Sequence, residues 1–350
     1  MATLMRSRSR LLLAALALVL TVITGGVIFL AMGKDPSTAL YIYFVEPLTT
    51  TSGLSEVAVK AGPLILIGIG LSFGFRAGIW NIGAEGQYIA GAIAGGGLAV
   101  YFYESESTLL LPAMLVLGTL GGMAWAAVPA LLKTRFNANE ILVSLMLVYV
   151  AELLLVHLVQ GPWRNPQGWG FPGTRLFPDA ATMPLLFSGK RVHLGTLITL
   201  AVPFIAWFIL ARTRFGFTVR VFGSAPLAAR HAGVHGHRMI WQSLLIGGGL
   251  AGLAGVIEAT STIGQLVPNI SPGYGFTAII VAFLGRLHPL GVLLAGIAIA
   301  VTYIGGEGAQ ISAGLPKAVT SLFQGIILFY LLAFDLFTRY RIIVSSRATE

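Results

Sequence analysis

Runs of mostly apolar residues, separated by short polar or basic stretches, recur along nearly the whole of this chain. A helix of about 20 apolar residues spans the ~30 Å hydrocarbon core of a bilayer. The shorter alternating segments of a β-barrel are absent. The pattern therefore predicts an all-α, polytopic transmembrane helical bundle with about ten membrane segments. They fall at 11–32, 57–75, 79–101, 109–132, 140–159, 194–211, 239–263, 274–284, 289–305 and 317–337. The segment 274–284 is too short to cross alone; it reads as a half-helix, or as one part of a broken element shared with its neighbour. The connection 161–193 holds five prolines and two tryptophans and cannot be one regular element.

Composition strengthens this reading. The chain has 350 residues, of which 56% are hydrophobic and only 10% charged. A soluble domain carries roughly 25% charged residues, so two soluble domains are excluded and the chain reads as a single transmembrane domain over 1–350. There is no cysteine, which removes disulfides, thiol catalysis and thiolate metal sites. The net charge of +9 is a topology code rather than a sign of nucleic-acid binding. With the N-terminus inside, only Lys34, Lys60, Arg164, Arg175, Lys190, Arg191 and Lys317 of the 22 Lys and Arg fall outside. This bias predicts both termini in the cytoplasm, which requires an even number of spans. Arg6, Arg8 and Arg10 precede the first apolar run, a signal-peptide-like arrangement; the run is long for that role and reads instead as a retained first membrane helix, 11–32.

Candidate chemistry is sparse. Pairs such as Gly91/Gly95, Gly118/Gly122 and Gly248/Gly252 predict close helix packing. The densest polar group is Asn81, Glu85 and Gln87, set among glycines 78, 83, 86 and 91. An acid at membrane depth either faces a polar path or is bonded internally. On a continuous helix Asn81 and Glu85 share a face and can offer an amide and a carboxylate to a polar ligand; the alternative is a structural carboxylate. Trp80 can stack on a flat ligand or act as an interfacial anchor. Glu152 and Glu258 either line the path or are paired within the bundle. Asn139 is a plausible helix N-cap, with Glu140 favouring the positive helix end. There is no His-Glu-x-x-His and no catalytic triad, so neither a metal site nor an enzyme is indicated. No G-x-x-x-x-G-K-[ST] occurs, so any ATP-driven motor is a separate chain.

The segment 224–233 reads as a short capped helix: Ser224 as N-cap, Pro226 in the first turn and Gly233 at the end. Held between membrane segments, it is suited to docking a cytoplasmic partner through Arg230 and His231.

The runs GIWNIGAEGQYIAGA, NANEILVSLMLVYVAE, GPWRNPQGWGFPGT, VFGSAPLAARHAGV and GFTAIIVAFLGRLHPLG resemble, in that order, the permease subunits of bacterial ABC importers for nucleosides, within the simple-sugar and branched-chain amino-acid permease group. The resemblance covers about residues 57–335. It implies a multi-pass protein of the bacterial plasma (inner) membrane with a permease core over 57–337 and no cofactor. It implies alternating access driven by cytoplasmic ATP-binding subunits, a second, related permease chain and an external substrate-binding protein that delivers the solute. The segment 224–233 then matches the family's coupling element, which places Ser224, Pro226, Leu227, Ala228, Arg230, His231 and Gly233 at the ATPase. Trp80, Asn81, Glu85, Gln87, Glu152 and Glu258 become translocation-path residues. The loop 161–193 becomes external. A simple-sugar or flavin-like solute is the alternative cargo, and an ion-coupled secondary transporter the alternative mechanism.

Overall fold

The computed structural model describes residues 16 and 19–339. Arg6, Arg8, Arg10, Arg341, Arg347 and the start of the expected 11–32 helix lie outside the described residues. Helices account for all the regular structure described; the one β-type pairing is an isolated antiparallel bridge between Leu185 and His193. Six helices among the described residues are long and apolar enough to cross a membrane: Thr51–Arg76, Leu110–Phe136, Glu140–Gln160, Leu194–Arg212, Gly236–Ile263 and Pro289–Ala313. The other expected segments correspond to shorter or less apolar helices. These are Val19–Ala31, Ala84–Tyr101, Tyr274–Leu284 and Ala318–Arg339.

In chain order the helices are α1 (Val19–Ala31), α2 (Pro36–Phe44), α3 (Glu46–Thr49), α4 (Thr51–Arg76), α5 (Ala84–Tyr101), α6 (Leu110–Phe136), α7 (Glu140–Gln160), α8 (Leu194–Arg212), α9 (Arg214–Ser224), α10 (Pro226–His231), α11 (Gly236–Glu258), α12 (Tyr274–Leu284), α13 (Pro289–Ala313) and α14 (Ala318–Arg339). They form two compact units, residues 54–300 and the flanking 19–53 with 301–339.

The flanking unit is organised by an aromatic knot. Tyr43 stacks on Phe323 at 4.8 Å between ring centroids, and Phe29 lies 5.4 Å from the same ring. Ala39, Ala309, Leu315 and Val319 complete the buried cluster. Asp35 caps α2 by accepting from the Thr38 amide at 2.8 Å and the Ser37 hydroxyl at 2.6 Å. Those hydrogen bonds hold its carboxyl well below the usual carboxylate range.

The larger unit is built around α4, of whose most apolar stretch 89% is buried, against 22% for α7. A helix apolar on every side is a core helix; one apolar but mostly uncovered presents its outer face to lipid. Next to α4, helices α5, α6 and α11 close on one another through glycine. A Cβ on Gly122 would sit 2.7 Å from the Gly252 Cα, and a Cβ on Gly252 would sit 2.8 Å from the Gly122 Cα. Gly91 meets the same Gly252 backbone from α5. In lipid, where apolar burial between helices gains little, such backbone approach is a main source of association.

Asn139 caps α7 through the Ile141 amide at 2.9 Å, and Lys133 bridges to Glu140 at 2.9 Å across the turn. The loop 161–193 folds over the other end of the unit. It contains one 3₁₀ turn, Asp179–Ala181, and is tied to the chain just beyond α11. The Thr174 amide donates to the Leu266 carbonyl at 3.0 Å and the Leu266 amide to the Thr174 hydroxyl at 3.0 Å, the Phe177 amide donates to the Gly264 carbonyl at 2.7 Å and the Met183 amide to the Thr260 carbonyl at 2.9 Å. His193, at the loop's end, is buried, and desolvation with a smaller contribution from Arg191 pushes its imidazole down to about 4.

Candidate functional site

The candidate site begins where α4 stops. Gly78 adopts a left-handed conformation (φ 73°) that a glycine takes at no steric cost, and the chain turns before α5 starts at Ala84. Asn81 therefore lies in the break and not on the helix that carries Glu85; the shared helical face expected from their spacing does not form. Asn81 pairs with Gln87 instead. Its Nδ2 donates to Gln87 Oε1 at 2.8 Å, and Gln87 Nε2 donates back to Asn81 Oδ1 at 3.1 Å. The Gly83 amide also donates to Asn81 Oδ1, at 3.1 Å, so the side chain closes the turn into α5. Both amides are buried, at 3% and 1% exposure, and this mutual pairing is what makes that burial tolerable.

Glu85, also 3% exposed, reaches across to another element. Its Oε2 accepts from the Gly275 amide at 2.5 Å, in the first turn of the half-helix α12. Ser271 hydrogen-bonds the same carboxyl and accepts from the Gly273 and Tyr274 amides at 3.1 and 3.0 Å. An acid at the positive end of a short helix satisfies donors that lipid would leave orphaned. A Cβ on Gly275 would press on the Glu85 Cα at 2.5 Å, so glycine is required for the approach. Of the two readings left open by the sequence, this conformation displays the internally bonded carboxyl. Losing the acceptor of a buried hydrogen bond costs about 1–3 kcal/mol. We expect Glu85→Ala to lower thermal stability in detergent and Glu85→Gln, which keeps an acceptor, to restore most of it. An alanine variant as stable as the parent would contradict this role.

Trp80 is 40% exposed and ring-paired with Phe75 at 5.0 Å and Phe283 at 5.9 Å. Glu152 sits half-buried on α7. Glu258 is the last residue of α11, buried where the helix widens into one π-turn at Ala259–Ile263, and it hydrogen-bonds Thr262. Single π-turns are frequent at functional positions.

Three residues not singled out as site candidates from the sequence join this core. Lys60, expected as an outside charge, lies within α4, with its Nζ 5.7 Å above the Tyr274 ring and in electrostatic contact with Glu258. Tyr274 meets Tyr88 edge-on at 6.0 Å, and the buried Tyr88 hydroxyl has no hydrogen-bond partner among the described residues. The sequence signal for Lys60 was its position inside a segment assigned to the membrane.

A second candidate region lies on the long basic connection. An additional helix, α9, precedes the expected one, capped by the Thr213 hydroxyl at 3.2 Å from the Gly216 amide. Ser224 is the last residue of α9 and its hydroxyl donates to the Val221 carbonyl at 3.2 Å; it does not cap α10, whose N-cap is Ala225. The cause is that 214–224 already supplies a helical turn up to Ser224. The rest of the motif folds as its residues suggest. Pro226 opens α10, and Gly233 (φ 86°) stops it, with Val234 donating to Ala229 at 2.9 Å. Ala229 is buried, whereas Ala228, Arg230 and His231 are exposed and Leu227 is 72% exposed.

Behind this region, the turn 285–288 carries Arg286 and Leu287 in the left-handed region, and Arg76 Nε donates to the Leu287 carbonyl at 2.8 Å. Burial, and to a lesser degree Arg76, depress the nearby His288 imidazole.

Six helices long and apolar enough to cross a bilayer, several with mostly uncovered faces, mark a multi-pass membrane protein. Comparison with known proteins carries this to a family. Residues 53–332 match the model of the branched-chain amino acid transport system / permease component family. The glucose ABC transporter permease protein TsgB13 of Haloferax volcanii is 38% identical over 94% of this chain and 87% of its own. The guanosine permeases NupP and NupQ of Bacillus subtilis are 29% and 30% identical, over 92% and 67% of this chain and 93% and 75% of their own. No solved structure matches. The chain belongs to the branched-chain amino acid transport system / permease component family and is the permease subunit of an ATP-binding cassette importer.

Proposed function

We propose that this chain carries a nucleoside or related small polar solute inward across the plasma membrane by alternating access. Its partners in this reading are a second, related but non-identical permease chain, cytoplasmic ATP-binding subunits that hydrolyse the nucleotide, and an external substrate-binding protein. The whole chain acts as one permease domain with about ten membrane segments, both termini inside and the loop 161–193 outside. Pro226, Leu227, Ala228, Arg230, His231 and Gly233 form the coupling element, with Ser224 joining it to α9. Trp80, Asn81, Glu85, Gln87, Glu152 and Glu258 border the path, which opens when the Asn81–Gln87 and Glu85–Gly275 contacts rearrange. The solute drives the change only by its different affinity for the two states.

The observation that most favours the nucleoside is the similarity to pairs of guanosine or nucleoside permeases in two organisms, Bacillus subtilis and Lactococcus lactis. That pairing also favours a non-identical second chain. The test is reconstitution of all partners in liposomes with labelled guanosine, glucose and riboflavin. The expected result is ATP-dependent guanosine accumulation. Glucose uptake alone would transfer the cargo to the simple sugars. Accumulation by the isolated chain down an ion gradient would remove the ATP-coupled mechanism. Because the chain has no cysteine, single cysteines at 164 and 230 report sidedness in the same vesicles, and labelling from the same side would overturn the topology.

A further inference from the structure

The larger unit carries an apolar groove lined by none of the translocation-path or coupling residues named above, although the basic spaces that continue it are bordered by Arg230 and Gly233 of the coupling element. It encloses 610 Å³ between α8 and α11, with walls that include Ile205, Ile209, Ile246 and Leu250, and a base formed by Phe73 and Met123. Its one end is marked by Phe215 and Gln242. The same two residues line a second cavity of 250 Å³ that also takes in Thr218, His235 and Arg238. His235 in turn lines a third cavity, of 450 Å³, together with Arg230 and His237. The three form one sequence of spaces that passes from apolar to basic. None of their described lining residues is acidic, and the stretch 212–238 contains five arginines and no Asp or Glu.

We propose that this composite groove is a binding site for one anionic phospholipid, with an acyl chain along Ile205 and Ile246 and the phosphate headgroup at Arg238. The polarity gradient identifies the occupant. An apolar groove alone would have no preference for one lipid over the surrounding bilayer, because lipid tails are as apolar as its walls. A basic cavity alone would take any soluble anion. Joined at Phe215 and Gln242, they select a molecule that has both a long tail and a negative head, and basic pockets beside membrane helices favour anionic headgroups. A helix of a second permease chain would fill the apolar part but leave the basic part unmatched.

The test is native mass spectrometry of the full-length protein after exchange into phosphatidylglycerol or phosphatidylcholine of identical acyl chains, with glycerol phosphate as the tail-free probe. Retention of one phosphatidylglycerol, about tenfold over phosphatidylcholine, is expected. Arg238→Gln should remove the headgroup preference, and Ile205→Trp, which fills the tail groove, should remove retention of both lipids. Equal retention of the two lipids by the parent protein, insensitivity to both substitutions, or equal binding of glycerol phosphate would each overturn the site. A cysteine at 205 that cross-links efficiently to the second permease chain in membranes would do the same, since the groove would then be a subunit interface.

Discussion

Gly252→Leu is expected to be the most damaging single substitution in the larger unit. Its side chain would have to enter the seam where α5, α6 and α11 meet backbone to backbone. The Gly122 Cα would lie 2.8 Å and the Gly122 nitrogen 2.9 Å from the new Cβ, before any further atom is added. Overpacking usually costs 1–3 kcal/mol because flexible neighbours yield. Here the neighbours are main-chain atoms of α6, so relief requires moving a whole helix. We expect a loss of about 3 kcal/mol or more, read as an unfolding midpoint in detergent roughly 6–12 °C lower, with little protein in the membrane fraction. Gly325→Leu on α14, where an added Cβ meets nothing within 4 Å, is the control and should leave the midpoint unchanged. Matching midpoints for the two variants would show that α6 and α11 are not held by glycine contact.

The second large effect should appear in transport with stability spared. Leu227 is the large apolar residue left in the open by a helix of only six residues, and Arg230 stands exposed one turn later. An exposed apolar and cationic pair on a rigid knob is suited to be an anchor in a partner's cleft. Leu227→Asp and Arg230→Glu are each expected to reduce ATP-driven uptake about 100-fold, a loss of about 2.7 kcal/mol and so of one hot-spot contact. Ala229→Pro should act similarly, because it removes the amide that donates to the Ala225 carbonyl at 2.9 Å. Membrane levels and melting of all three should remain near those of the parent chain. Uptake at the parental rate by Leu227→Asp and Arg230→Glu would remove α10 from the coupling pathway.

Apolar run length made most of the helices legible, and glycine spacing identified the seam, because both are local properties of the chain. The Pro226 start and Gly233 stop of α10 and the Asn139 cap were legible for the same reason: each acts within one turn. What failed depended on breaks and on distant partners. Asn81 and Glu85 have helical spacing, but the left-handed Gly78 and the turn to Gly83 put Asn81 outside the helix and turned it towards Gln87. The partner of Glu85 is Gly275, 190 residues away, and no local pattern announces it. For Lys60, read as an outside charge, the contact with Tyr274 was not legible, because that ring lies in another element. The helix Arg214–Ser224 was hidden by its basic composition, and Ser224, a good cap in isolation, was already absorbed into it.

The stitching of the proline-rich loop has a mechanical corollary. Thr174, Phe177 and Met183 grip residues 260–266, a stretch that takes in most of the π-turn Ala259–Ile263, and Glu258 lies directly upstream in the same chain. Lifting the loop must therefore drag that tail along or shear main-chain bonds at 2.7–3.0 Å. A tug at the surface becomes torque on the terminal turns of α11, two turns from the glycine seam at Gly252.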